Sequence, residues 1–193
     1  MKLIFATQNK HKIEEIKPGL NPEVELIDLS DMGFKGEVPE TSDTLEGNAL
    51  EKANFVFNKY SMNTLSDDTG LEVESLNGEP GIFSARYAGD SKNSEENIEK
   101  LLDKLKGKSN RKARFRTVIA LILNNKEYLF EGIAEGEIVE NRSGNMGFGY
   151  DPVFQPLGYD KTFAEMTLQE KNEISHRARA LKKLTDFLNR LID

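Results

Sequence analysis

Along the chain, apolar positions switch repeatedly between an unbroken run, a period of two and a helical period. Lys2-Leu3-Ile4-Phe5-Ala6 is a short apolar run followed by the polar segment Thr7 to Lys12, then by Ile13, Ile16 and Leu20 at helical spacing. That order predicts a strand over 2–6, a loop, and a helix ended by Pro18. Val24-Glu25-Leu26-Ile27 predicts a second strand, and 31–43 reads as an acidic loop broken by Pro39. From Thr44 to Tyr60 the residues Leu45, Ala49, Ala53, Phe57 and Tyr60 define the buried side of a helix. Strands follow at 63–66 and 71–76, with Asp67-Asp68-Thr69-Gly70 as a tight turn between them. Asn93 and Ser94 precede a helix with Ile98, Leu101, Leu102 and Leu105 on one face and Gly107 behind it. Arg114 to Leu123 is strongly β-prone, Asn124-Asn125 turns it back, and Glu127–Ile133 and Ile138–Val139 continue the meander. Thr167-Leu168-Gln169-Glu170 fits a capping box that opens a C-terminal helical region.

Early alternation of strands and helices followed by an antiparallel meander predicts an α/β fold with a mixed sheet flanked by helices. The 193 residues suit one large domain, or two lobes sharing a sheet. No apolar run approaches the ~20 residues that span a bilayer, and the opening strand is too short for a signal-peptide core, so the chain reads as soluble and cytoplasmic. A formal charge of -7 argues against a general nucleic-acid binder while leaving room for one small anion in a locally basic pocket. With no cysteine and only His11 and His176, thiolate and multi-histidine metal sites are excluded.

Five segments carry chemistry. Thr7, Gln8, Asn9, Lys10, His11 and Lys12 lie where a strand gives way to a helix, whose first N–H groups and dipole favour an anion; an ordinary β-to-α connection is the competing reading. Asp67 and Asp68 are the hard oxygen donors that Mg²⁺ takes, although a plain Asp-rich turn has the same composition. Neighbouring strand residues point to opposite faces, so one of the two is expected to reach a metal directly. Glu37, Glu40, Asp43 and Glu46 form an acidic stretch able to add a ligand, or simply a solvated loop. Phe148, Gly149, Tyr150 and Asp151, with Gly147, combine an aromatic for stacking with a carboxylate that can accept from a purine N–H. On one straight helix Lys171 would sit ~140° from His176 and ~120° from Arg177. A break at Ser175 is therefore predicted, placing His176 and Arg177 on the first turn of a new helix with Ala178, Leu181, Leu184, Leu188 and Leu191 as its packing face.

Taken in order, Ala6-Thr7-x-Asn9-x-x-Lys12, Ser66-Asp67-Asp68-Thr69-Gly70-Leu71, Pro80-Gly81-x-x-Ser84-Ala85-Arg86-Tyr87, Gly147-Phe148-Gly149-Tyr150-Asp151-Pro152 and Ala164-Glu165-Met166-Thr167 to Arg177 resemble the Ham1/RdgB family. These are inosine triphosphate pyrophosphatase-like enzymes, and the resemblance covers residues 2–190. It implies a Mg²⁺-dependent enzyme that hydrolyses dITP, ITP and XTP to the monophosphate and pyrophosphate. It also implies an elongated two-lobed single domain over 1–193, with a long curved sheet, a substrate cleft between lobes and a homodimer. By the same resemblance Thr7 to Lys12 hold the triphosphate, and Asp68 is proton acceptor and metal ligand with Glu40 as second ligand. Lys52 lies near the phosphates, Thr69 contacts substrate, Phe148 to Asp151 meet the base, and Lys171, His176 and Arg177 meet base and phosphates. Two departures stand out: Gln8 replaces the family's glycine, and Gly47-Asn48-Ala49 replaces its frequent Glu-Asn-Ala. A non-catalytic nucleotide sensor and a pyrophosphatase for other modified nucleotides are the rival readings.

Overall fold

The computed structural model describes residues 1–192. The chain is a mixed α/β protein whose strands pair in the order β2-β1-β3-β5-β6-β7, with the short β4 on β3. The strands are β1 Lys2–Phe5, β2 Glu25–Asp28, β3 Thr64–Val73, β4 Pro80–Gly81, β5 Lys112–Leu123, β6 Lys126–Ile138 and β7 Phe154–Pro156. The helices are α1 Lys10–Ile16, α2 Leu45–Tyr60, α3 Ser94–Leu105, α4 Leu168–Ile174 and α5 His176–Ile192. Among the described residues no helix is long and apolar enough to cross a membrane.

The chain divides into two compact units. The first comprises 1–68, 117–132 and the segment from Arg177 onward. In it β1 runs parallel to both β2 and β3, and its alternation decides what covers each face. Leu3 and Phe5 join Leu181, Leu184 and Leu188 of α5, whereas Ile4 joins Val56 of α2. Thr44 caps α2 by accepting from the Gly47 N–H at 3.0 Å. Leu45, Ala49 and Ala53 are buried as the pattern predicts, but Val56 occupies the fully buried position beyond them and Phe57 is half-buried.

The second unit comprises 69–116 and 133–176. There α3 lays Ile98, Leu101 and Leu105 against Leu71, Val73 and Phe115. Asn93 caps α3 by accepting from the N–H groups of Glu95 and Glu96. β6 and β7 pair antiparallel, with Ile138 opposite Phe154.

Three sequence expectations need correction. The segments 63–66 and 71–76 are not two strands around a turn. β3 runs unbroken through Asp67-Asp68-Thr69-Gly70 and ends at Val73, after which 74–76 form a 3-10 turn. Turn propensity in Asp depends on the side chain bonding its own backbone. Here both carboxylates find cationic partners elsewhere, and the backbone stays in the ladder. Likewise β6 is one strand from Lys126 to Ile138 rather than two pieces. Leu191 is 53% exposed and lies off the packing face of α5. The predicted break is present: α4 ends at Ile174, Ser175 is extended (φ -68°, ψ 157°), and α5 starts at His176. Thr167 and Glu170 cap α4 reciprocally, as the sequence predicts.

Candidate active site

Within the first unit, side chains from five segments converge on a buried charge cluster. Asp67 is 1% exposed, and each of its oxygens takes one cation. Lys12 Nζ donates to Oδ1 at 2.9 Å and Arg177 Nε to Oδ2 at 3.2 Å. Arg177, 1% exposed, also donates through Nη1 to Glu15. Burial alone would raise the Asp67 carboxyl, but Lys12, then Arg177 and Lys52, outweigh it and pull the pKa down to about 2. Asp67 is thus a fixed anion. Asp68 has a different set of partners, as expected for the next residue along a strand. Lys52 Nζ donates to its Oδ1 at 3.0 Å and Asn48 Nδ2 to its Oδ2 at 3.2 Å. Burial raises the Asp68 pKa and nearby Glu40 adds to this, with Lys52 and Lys12 opposing. Of the two neighbours, Asp68 is therefore the carboxylate readier to take up a proton.

α2 supplies the other wall of this cluster. Lys52, buried on the same helix side as Asn48 one turn earlier, reaches Glu40 Oε1 at 2.5 Å as well as Asp68. Burial works against the Lys52 ammonium, yet Asp68 and Glu40 together raise its pKa. Glu40 is the member of the acidic stretch that meets Lys52, whereas Asp43 is exposed. Three consecutive loop residues are held by α2: Glu40 by Lys52, Thr41 through its N–H and hydroxyl by Glu51, and Ser42 through its N–H by Asn48 Oδ1 at 2.9 Å. Gly47 permits this, because a Cβ there would stand 1.9 Å from Ser42 Oγ.

The Thr7–Lys12 segment contributes mainly Lys12. Thr7 Oγ1 accepts from the Asn9 N–H and Asn9 Oδ1 from the His11 N–H, so both side chains fold the loop and cap α1. Gln8, Lys10 and His11 are exposed, and His11 Nδ1 lies 3.5 Å from Glu14. Burial lowers the Lys12 pKa, and Lys52 and Arg177 add to this while Asp67 opposes it. An arriving phosphate would relieve that strain on the charged lysine.

The second unit gathers the aromatic residues. Asp151 Oδ2 accepts both the Phe148 N–H at 2.9 Å and Lys171 Nζ at 2.6 Å, so the carboxylate closes the 148–151 turn around a buried lysine. Gly147, at φ +74°, is required here, since a Cβ would stand 2.1 Å from Asp151 Oδ2. Lys171 Nζ lies 5.0 Å from the Phe148 ring centroid and 5.5 Å from that of Phe163. Tyr150 is buried and donates to Ser84 O at 2.8 Å, which anchors the turn. The His176 ring stacks on Phe115 at 4.6 Å and 14°, and Phe163 lies 6.2 Å away. Phe163 therefore borders both Lys171 and His176. Thr69 is half-buried on β3 beside Asp68.

Sequence reasoning missed Glu15 and Asn48. Their signals are slight: Glu15 stands three residues after Lys12, and Asn48 four before Lys52, so each shares a helix side with a lysine of the cluster. As for metals, no group of three or more His, Asp or Glu side chains converges among the described residues. Glu40 and Asp68, joined by one ammonium, are nevertheless a fitting pair of hard donors for Mg²⁺, which typically takes one or two carboxylates and completes its shell with water and phosphate.

Adjacent carboxylates, one held ionised by Lys12 and Arg177 and one paired with Lys52 and Asn48, make a site suited to phosphate chemistry. The chain belongs to the Ham1 family, which it matches over residues 3–187. It is 55% identical over 187 residues to a dITP/XTP pyrophosphatase of Flavobacterium psychrophilum, covering 97% of this chain and 98% of that one. The dITP/XTP pyrophosphatase of Bacillus subtilis is 46% identical, with 96% of each chain covered. Among solved structures, the Ham1 protein of Staphylococcus aureus superposes with a TM-score of 0.89 at 40% identity, covering 98% of both chains. A HAM1 protein of Coxiella burnetii gives 0.91 at 37% identity, covering 98% of this chain and 99% of its own.

Proposed function

We propose that this protein is a Mg²⁺-dependent dITP/XTP pyrophosphatase that releases pyrophosphate and a nucleoside monophosphate. The observation that carries the reading is the division of labour between adjacent carboxylates. Asp67 is neutralised by Lys12 and Arg177, while Asp68, paired with Lys52 and Asn48 beside Glu40, is placed to serve as base. Relatives about half identical over nearly the whole chain support the substrate class.

In this mechanism Asp68 takes the proton from the water that attacks the α-phosphorus, and the pyrophosphate leaves with its charge offset by Lys12 and Lys52. Glu40 and Asp68 would hold Mg²⁺, which supplies Lewis-acid polarisation of phosphate oxygens when bound. Phe148 stacks on the base, and Lys171, fixed by Asp151, sets the position of that ring. His176, held flat against Phe115, donates to a 6-keto oxygen. Adenine's amino group would leave that donor unpaired, a loss of ~1–3 kcal/mol.

The direct test incubates the protein with Mg²⁺ and a panel of dITP, ITP, XTP, ATP, GTP and modified pyrimidine triphosphates, with pyrophosphate detection. Turnover of dITP, ITP and XTP, with ATP turned over far more slowly, is expected. Equal turnover of ATP would refute the base assignment, and tight binding without turnover would make the protein a sensor. The reading further places a homodimer in the cytoplasm. Phe83, 63% exposed beside Pro80-Gly81, is a large apolar side chain that a partner surface would cover. Sedimentation at micromolar concentration should give twice the mass of the 21.8 kDa chain, and a monomer there would reject the dimer.

A further inference from the structure

We propose that Asn48 is a positioning residue for the reaction, fixing the direction in which Asp68 presents its carboxylate. This rests on the reading of Asp68 as the base and takes it one step back, to the group that aims it.

Asn48 is 4% exposed on the second turn of α2, and both ends of its amide are engaged. Nδ2 donates to Asp68 Oδ2 at 3.2 Å, and Oδ1 accepts the Ser42 N–H at 2.9 Å. One turn later, Lys52 donates to the other Asp68 oxygen and to Glu40. The helix thus grips each oxygen of Asp68 with a separate donor, and a carboxylate held at both oxygens cannot rotate about its Cβ–Cγ bond without losing one of them. The two donors differ in charge, so their effects differ. The Lys52 ammonium stabilises the ionised carboxylate of Asp68, whereas the neutral Asn48 amide directs it. Because the Ser42 N–H fixes which end of the amide is oxygen, the end facing Asp68 must be the donor.

Loop anchoring is not the main task of Asn48. The same loop is already held at Glu40 by Lys52 and at Thr41 by two hydrogen bonds to Glu51. Among the described residues, Asn48 supplies the neutral donor that the Asp68 carboxylate accepts. Gly47 serves this arrangement. Where the family frequently has glutamate, glycine lets Ser42 close against the helix start, and Ser42 then orients the Asn48 amide.

The test compares Asn48→Ala and Asn48→Asp with the wild-type protein, measuring kcat and KM for dITP with Mg²⁺, and fold by circular dichroism. Asn48→Asp keeps an acceptor for the Ser42 N–H but turns an oxygen, not a donor, toward Asp68. Both variants are expected to fold and to lose kcat by about 10–100-fold, the range that misaligned catalytic groups produce, with KM little changed. If Asn48 only anchored the loop, Asn48→Asp would restore the wild-type kcat, and that result overturns the proposal. A folded Asn48→Ala with wild-type kcat also overturns it, as does loss of fold in both variants, which would make Asn48 a stability residue. Absence of turnover in the wild type is a separate result: it refutes the pyrophosphatase reading, and this role with it.

Discussion

Asp68→Asn should abolish pyrophosphate release while leaving the protein folded. The substitution keeps the shape of the side chain but removes its negative charge, its capacity to take a proton and one of the two oxygens that accept from Lys52 and Asn48. General-base catalysis contributes about 10²–10⁴-fold, and the loss is expected toward the upper end because the substitution also removes one of the two carboxylates proposed to hold Mg²⁺. Stability should hold because burial already disfavours the charge on Asp68. Lys52 keeps Glu40 as a partner at 2.5 Å when that charge is gone. Initial rates with dITP, paired with thermal melts, check both halves; a near-wild-type rate would remove Asp68 from the mechanism.

Asp67→Asn is expected to act in the opposite sense, on stability more than on chemistry. Asp67 neutralises two cations in the interior, and its loss leaves Lys12 and part of the Arg177 guanidinium without a counter-charge. Breaking a buried pair from one side costs about 3–5 kcal/mol. Depression of the carboxyl from 3.8 to about 2 gives a similar size, ~2–3 kcal/mol. Because the folded pKa is the lower one, this stabilisation is complete above 3.8 and is lost as pH falls toward 2. Urea unfolding should show the gap between wild type and variant at neutral pH and its closure across that acid window. Equal midpoints at pH 7 would mean that the cluster tolerates an unpaired cation.

Much of the fold was legible because local signals agreed with one another. The capping residues Asn93 and Thr167 appear where the pattern puts them, and the break at Ser175 followed from the angular conflict among Lys171, His176 and Arg177. Asp67-Asp68-Thr69-Gly70 was misread because its composition favours a turn only while the acids lack distant partners. Lys12 and Lys52 supply those partners from segments far away in sequence. Lys12, Lys52, Asp67, Asp68 and Arg177, singled out from the sequence, do come together, whereas Glu15 and Asn48 of the same cluster were illegible. A polar side chain on an amphipathic helix looks solvent-facing until the neighbouring strand shows that it is buried.

The unbroken course of β3 has a consequence for how this protein can change length. Two acids in succession on a pleated strand are distinguished by parity alone. Inserting or deleting a single residue between Thr64 and Asp67 would exchange their faces, sending Asp67 toward Lys52 and Asp68 toward Lys12 and Arg177. A two-residue change would restore the faces but slide both acids ~6.6 Å along the sheet, away from both lysines. Length variation across homologues should therefore be absent from 64–68 and tolerated in the loop over 31–38.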